Sequence, residues 1–386
     1  MSYASRTNHL KPEGAYQVLA RANQLEAEGR EIIHLEIGQP DYATFENVSE
    51  AGIAAIRAGH TRYTPPAGMP SLREAIAEDS GRRLGIRIQR DEVVISPGAK
   101  PNLFFPTLAL VEPGDEVIYP NPGFPTYEAM IHMAGGIPMA VPLLEEGNFS
   151  FDLDTFDRLV TKRTKLIILN TPSNPTGGVI PRADLEHIAQ KAQEFNCWIM
   201  SDEIYARLVY DGLKVDSIAS LPNMKERTII VGGFSKTYSM TGWRLGYGIM
   251  PRELAARVDL LLTHSVGSTA HFTQFAGLEA ITGPQNMVDV MVAEYQCRRD
   301  VIVAGLNQIT GFICQKPQGA FYAFPNIKGT GMTSNKLANL LLEKAGVALL
   351  PGSSFGKFGE GYLRLSYANS IENIKEGIQR IKSALS

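Results

Sequence analysis

The chain has 386 residues, 44% of them hydrophobic, and a formal net charge of −3. That length can bury a large core and form two or three domains, since domains typically run ~100–200 residues. Near-neutral charge gives no electrostatic case for nucleic acid or an anionic membrane surface. Three scattered cysteines (Cys197, Cys297, Cys314) argue against a disulfide framework and against a thiolate zinc site.

The first nine residues carry no apolar core, so no signal peptide is expected. The longest uncharged apolar patch, residues 101–111, is too short to span a bilayer. A cytoplasmic protein is expected. Residues 13–30 read as an amphipathic helix, with Val18, Leu19, Ala22 and Leu25 at helical spacing. An extended piece follows at 32–37 and ends at Gly38-Gln39-Pro40-Asp41. A second helix is expected at about 47–58. After a Pro/Gly loop at 63–68, Ser71-Leu72-Arg73-Glu74 opens the next helix with a capping-box pattern.

From there strands and helices alternate. Strand candidates are 93–95, 116–119, 165–169, 198–200, 229–231 and 245–250, with helices at 99–110, 183–196 and 251–262. Continuous apolar strands separated by helices mean a mostly parallel sheet covered on both faces. Beyond residue 285 the rhythm changes. A long charged helix at 287–308, strand pieces at 321–324 and 362–366, and helices at 334–345 and 370–384 make an α+β unit, which the extended N-terminal piece is expected to join.

Chemistry-bearing residues cluster just past the ends of the apolar strands, where open α/β sheets bind ligands. Ser96-Pro97-Gly98-Ala99-Lys100 opens a helix, and free N–H groups there suit a phosphate. Asn170-Thr171-Pro172-Ser173-Asn174-Pro175 is a turn dense in breakers that holds Asn174 between prolines. Ser201-Asp202-Glu203-Ile204-Tyr205 carries an acid at a buried strand end; read alone, Asp202 is a helix cap. Gly232-Gly233-Phe234-Ser235-Lys236 places a lysine in a turn, with Arg244 eight residues on. A lone loop lysine is ordinarily solvated, but lysine loses its proton readily on desolvation and then becomes an amine nucleophile. A lysine, a buried acid, an asparagine, a tyrosine and a phosphate cradle together suit pyridoxal phosphate.

At this point the chain resembles the fold-type I pyridoxal-phosphate enzymes, and among them the class I/II aminotransferases of the aspartate aminotransferase kind. Six segments carry the resemblance, in family order. They are Tyr63-Thr64-Pro65 with Gly68, Asn174-Pro175-Thr176-Gly177, Asp202-Glu203 with Tyr205, Ser235-Lys236 with Gly242-Trp243-Arg244-Leu245-Gly246, Pro351-Gly352-Ser353 with Phe355-Gly356, and Arg364-Leu365-Ser366-Tyr367-Ala368. Pattern and resemblance together imply an α/β fold. Its large domain, residues 46–284, has a mostly parallel seven-stranded sheet between helices. Its smaller α+β domain is built from both chain ends, residues 1–45 and 285–386.

The resemblance also implies roles. Lys236 forms the imine with pyridoxal 5'-phosphate and shuttles the substrate proton. Asp202 pairs with the pyridinium nitrogen. Tyr205 and Asn174 reach the ring oxygen. Gly98, Ala99, Lys100, Ser235 and Arg244 hold the phosphate, and Phe124 stacks on the ring, although a core aromatic beside a turn reads equally well. Tyr63 reaches the phosphate of a neighbouring subunit, which implies a homodimer. Arg364 clamps the substrate α-carboxylate beside Asn174 and the Gly38 backbone. The implied reaction is a ping-pong aldimine/ketimine transfer from an L-amino acid, aspartate or a broader range, to a 2-oxo acid such as 2-oxoglutarate.

Two departures stand out. Gly233 occupies a position where many relatives carry a phosphate-binding serine. In one aspartate aminotransferase subgroup a lysine like Lys100 binds the distal carboxylate, but the threonine that accompanies it is absent from Pro12-Glu13-Gly14-Ala15-Tyr16. A C–S lyase or an amino-acid oxidase would use the same motifs. A non-catalytic cofactor-binding regulator would ordinarily bring a basic DNA-binding domain, and no basic face is evident.

Overall fold

The six apolar runs do form one sheet. The structure, a computed structural model, describes residues 3–10 and 12–385. Its strands are β1 (Ile33–His34), β2 (Val93–Ser96), β3 (Glu116–Asn121), β4 (Ile137–Leu144), β5 (Ser150–Phe151), β6 (Thr164–Asn170), β7 (Trp198–Asp202), β8 (Thr228–Gly233), β9 (Gly246–Ile249), β10 (Tyr322–Ala323), β11 (Val347–Ala348), β12 (Leu350–Pro351) and β13 (Leu363–Ser366).

The large sheet has the order β2-β9-β8-β7-β6-β3-β4-β5. Strands β8, β7, β6, β3 and β4 pair in parallel, while β9 runs antiparallel to both of its neighbours. The sheet thus comprises seven strands and the two-residue β5, which hairpins onto the end of β4. All residues of β2 and β3 are buried, as are all but Lys165 in β6. Helices cover both faces, so the strands need no polar alternation.

Sequence pattern missed β4 because Pro138 and Pro142 interrupt it. Beyond its pairing with β3, the length 137–142 has no second partner strand, and prolines are tolerated on such an edge. The helix His271–Thr282 was also missed. It packs on Glu46–Arg57 and Pro70–Leu84, and it is apolar on most faces, so it shows no clear helical stripe. The expected capping box at Ser71 is not formed. The helix starts one residue earlier at Pro70, behind Met69, and no side chain caps it. Proline at the first position already lacks an orphan N–H and has the helical φ, so the box is not needed there.

The extended N-terminal piece pairs through β1 with β11 in parallel, Ile33 opposite Val347. Two residues on, the Ser366 N–H donates to the Leu35 carbonyl at 2.7 Å, which lays the same segment beside β13. Strand β13 in turn lies between β10 and β12. This brings Glu36 and Gly38, from one chain end, to Arg364 and Tyr322 at the other. One buried apolar cluster links the two regions, running from Ile33 and Leu35 through Phe234 and Leu245 to Phe321 and Leu365. No helix among the described residues is long and apolar enough to cross a membrane.

Candidate active site

Five strand ends supply the site. Because β2, β8, β7, β6 and β3 share one direction, the loops after them open on the same edge of the sheet. The register sets Asn170 beside Asp202 and Asp202 beside Val231, so the loops carrying Asn174, Tyr205 and Lys236 emerge side by side.

Lys236 stands in the turn after β8, partly accessible but walled in by protein. Its Nζ donates to the Gly38 carbonyl. It lies 5.7 Å from the centroid of Phe321 and 6.0 Å from that of Tyr205. Burial, aided by the charges of Arg364 and Arg244 and opposed by Asp202, pulls the amine down to about 7. A good fraction is therefore neutral at neutral pH, as a nucleophile or base requires.

Asp202 ends β7 and is buried. Burial pushes its carboxyl up to about 6, against the pull of the Tyr127 hydroxyl and the Ile204 N–H. Tyr127 donates to Asp202 Oδ2 at 2.7 Å. The Ile204 N–H reaches Oδ1 at 3.3 Å, a local turn bond, but no helix follows Asp202 for it to cap. No cation among the described residues lies at hydrogen-bond distance from this acid. A buried carboxylate in that state is costly, and a cationic ligand would relieve it.

Arg364, on β13, is buried. One Nη donates to Asn174 Oδ1 at 3.0 Å and the other to the Glu36 carbonyl. Its guanidinium lies 4.4 Å from the ring centroid of Tyr322 and 5.0 Å from that of Phe355. Arg364 Nε has no partner among the described residues. Tyr205 and Tyr322 share a 2.7 Å hydrogen bond between their hydroxyls. Burial raises both, the neighbouring Tyr322 adding to the effect on Tyr205.

The cradle after β2 is built on close approach. Gly98 has φ +88°, and a Cβ there would lie 2.2 Å from Arg244 Nη2. Ser96 Oγ donates to the Gly98 carbonyl at 2.6 Å and accepts from Asn102 Nδ2 at 2.6 Å, which fixes the turn. Ala99 and Lys100 begin the helix Lys100–Leu110, whose first N–H groups have no helical partner. Arg244, itself at φ 52°, donates to the Thr241 carbonyl and turns the rest of its guanidinium toward this loop. Ser235 is buried one residue before the lysine. Phe124 packs edge-on against Tyr127, with ring centroids 5.7 Å apart.

Twelve of the thirteen residues singled out from sequence therefore line this one region. Tyr63 does not join it within the chain, being 96% exposed. Gly233 ends β8, and a side chain there would press on Ile204 Cδ1 at 2.9 Å. Sequence reading missed Tyr127, Tyr322 and Glu36. Tyr127 follows Phe124 by three residues and Tyr322 lies in an expected apolar strand, so neither carried a polar signal. The site contains a near-neutral lysine, a buried acid without a cation, and a glycine–arginine cradle at a helix start. It fits a phosphorylated, cationic-ring aldehyde, and the half-satisfied Arg364 fits a carboxylate.

The comparisons with known proteins agree with that chemistry. The family model described as aminotransferase class I and II matches residues 30–381. A probable aspartate/prephenate aminotransferase of Aquifex aeolicus is 43% identical, over 99% of this chain and 98% of its own. An aspartate aminotransferase of Pyrococcus horikoshii is 39% identical, over 99% and 97%. The solved aspartate aminotransferase of Thermus thermophilus with maleate superposes with a TM-score of 0.95 at 36% identity, covering all of both chains.

Proposed function

The chain belongs to the class I and II aminotransferases, and from that premise we propose that it carries an amino group from L-aspartate, and from a range of uncharged L-amino acids, to 2-oxoglutarate. The enzyme is a transaminase and its cofactor is pyridoxal 5'-phosphate. One observation carries the choice of donor: besides Arg364, whose Nε has no partner among the described residues, the site holds a second cation, Lys100, whose Nζ lies 5.2 Å over the ring of Phe124. A dicarboxylate has one carboxylate for each. The maleate in the Thermus thermophilus relative is such a dicarboxylate.

Bound pyridoxal phosphate supplies an electron sink that acidifies the substrate Cα–H and a carbon that holds the amino group between half-reactions. In this reading the chain does the rest. Gly98, Ala99, the backbone N–H of Lys100, Ser235 and Arg244 would hold the phosphate, leaving the Lys100 ammonium to the substrate, and Asp202 would keep the ring nitrogen protonated, itself held by Tyr127. Asn174 and Tyr205 meet the ring oxygen, and Phe124 covers the ring. Lys236 attaches the cofactor. Once the donor's amine takes its place, Lys236 Nζ accepts the proton from the donor Cα and later returns one to the acceptor Cα. Arg364 holds the α-carboxylate with both prongs of its guanidinium, steadied by Asn174 and the Glu36 carbonyl, while the Gly38 backbone lines the pocket.

The same reading takes residues 1–45 and 285–386 as a small domain over a large one, 46–284. It makes the protein a cytoplasmic homodimer. The exposed Tyr63 supports the dimer, as does an open pocket of ≈ 690 Å³ beside Arg244, lined by Gln39, Tyr42, Pro97, Trp243 and Ser268 among others. A partner's tyrosine could enter it. The test is a panel of amino donors against 2-oxoglutarate, run with wild type and Lys100→Ala. Aspartate should be a good donor, and Lys100→Ala should weaken aspartate more than phenylalanine. A protein that accepts no amino acid, or whose Lys100→Ala variant treats both donors as wild type does, would refute the reading.

A further inference from the structure

Lys100 is not free. Its ammonium is paired with the Glu13 carboxylate in a short contact between residues 87 positions apart. The same ammonium sits 5.2 Å over the ring of Phe124. Glu13 is the residue immediately before the helix Gly14–Ala27, with extended backbone. An aspartate there would ordinarily accept from the helix's own free N–H groups, and the helix dipole favours any acid at this end. Glu13 makes no such bond. Its carboxylate turns away from its own helix toward Lys100. The helix start packs closely on Ser354, where a Cβ added to Gly14 would be 2.6 Å from Oγ.

Glu13 therefore occupies, with a carboxylate of the protein, the cation that a dicarboxylic substrate needs for its second carboxylate. We propose that Glu13 is a specificity-determining residue: an internal carboxylate that competes with the distal carboxylate of aspartate or 2-oxoglutarate for Lys100, and that stays paired when the donor side chain is uncharged. The competition lowers the enzyme's preference for dicarboxylates and leaves one pocket usable by both substrate classes. With an uncharged donor, Lys100 keeps its partner and no bare cation faces an apolar side chain. With a dicarboxylate, one ion pair is exchanged for another. The pair is about half in water, 48% exposed at Lys100 and 30% at Glu13, so breaking it is a small cost and both states are accessible.

The inference rests on Lys100 being the distal-carboxylate cation, and the experiment separates the two claims. Steady-state kinetics of the cofactor-loaded enzyme would be measured for aspartate with 2-oxoglutarate and for phenylalanine with 2-oxoglutarate, in wild type, Glu13→Gln, Lys100→Ala and the double variant. Glu13→Gln should lower KM for aspartate and for 2-oxoglutarate by about two- to fivefold, in keeping with a half-exposed ion pair, with kcat little changed. KM for phenylalanine should not fall. In the Lys100→Ala background the same substitution should change neither dicarboxylate KM. A Glu13→Gln enzyme whose dicarboxylate KM is unchanged or raised overturns the gate, as does an equal fall for phenylalanine. If Lys100→Ala alone leaves aspartate unaffected, the assignment of Lys100 fails, and the gate with it. If Lys100→Ala weakens aspartate but Glu13→Gln has no effect, only the gate fails. Because Glu13 is a surface residue making no cap bond, a loss of folding that mimics any of these outcomes would appear as lowered kcat for every donor, and that result also counts against the gate.

Discussion

Replacing Tyr127 with phenylalanine removes a single hydroxyl from the wall behind Asp202. That hydroxyl donates to Asp202 Oδ2 at 2.7 Å, and both residues are buried. A hydrogen bond to a charged group contributes about 1.5–3 kcal/mol, and solvent does not screen this one. At about 1.4 kcal/mol per factor of ten, Asp202 should become a weaker acid by about ten- to a hundredfold. Burial has already pushed it up to about 6, and Tyr127 is the first of the groups holding it down. The substitution therefore raises it further, while a cationic ring facing it opposes that rise. Only the ionised carboxylate can hold a proton on the cofactor's ring nitrogen. The assay is kcat/KM for aspartate between about pH 5 and about pH 9, together with titration of the cofactor-free protein with pyridoxal phosphate. The acidic limb of the profile should move to higher pH, cofactor binding at neutral pH should weaken by about tenfold, and activity should largely recover at alkaline pH. A Tyr127→Phe enzyme with the wild-type acidic limb and wild-type cofactor affinity would refute the reasoning.

Three other predictions follow from the same geometry. The Lys236 amine is lowered to about 7, so its neutral form prevails above that pH, and the rate at which cofactor-free protein attaches pyridoxal phosphate should rise through about 7 and then level off. A rate that keeps climbing toward the ordinary lysine range would contradict the burial argument. Arg364→Lys keeps the charge but loses the two-pronged grip, and KM for every amino donor should rise by about ten- to a hundredfold with a smaller change in kcat; an unchanged KM would remove Arg364 from the carboxylate site. Gly98→Ala forces a side chain into a left-handed backbone and against Arg244. It should cost about 1–3 kcal/mol in denaturant unfolding and weaken cofactor retention as well; full stability and retention would show the cradle to be looser than its geometry.

Most of the sheet was legible because its strands are buried on both faces, so each is a short apolar run between turn residues. The strand Ile137–Leu144 was not, since two prolines break the pattern and only its position near the sheet edge makes them tolerable. The helix His271–Thr282 was hidden for the opposite reason, being apolar nearly all round. In the site, the residues that bear charge or stand in breaker-rich turns were visible: Lys236, Asp202, Asn174, Arg364 and the glycine turn at Gly98. Those that act on them were not. Tyr127 and Tyr322 look like core aromatics, because the hydroxyl that meets Asp202 or Tyr205 gives no signal in one dimension. The absence of a hydroxyl at Gly14-Ala15 is legible in the sequence, whereas only the fold sets the neighbouring carboxylate of Glu13 against Lys100. Gly233 stands where many relatives carry a phosphate-binding serine, and a side chain there would meet Ile204, a contact the sequence does not show.

The central claim is that the enzyme moves an amino group from an L-amino acid to a 2-oxo acid with Lys236 as cofactor anchor and proton carrier, and a half-reaction tests it most directly. Cofactor-loaded enzyme would be mixed with nitrogen-15 labelled L-aspartate without acceptor, freed of excess substrate, and then given 2-oxoglutarate. One oxaloacetate per site should appear in the first step, with the label kept on the protein, and labelled glutamate should be released in the second. Lys236→Ala should do neither. Free ammonia or hydrogen peroxide in the first step, or full turnover by Lys236→Ala, would contradict the account.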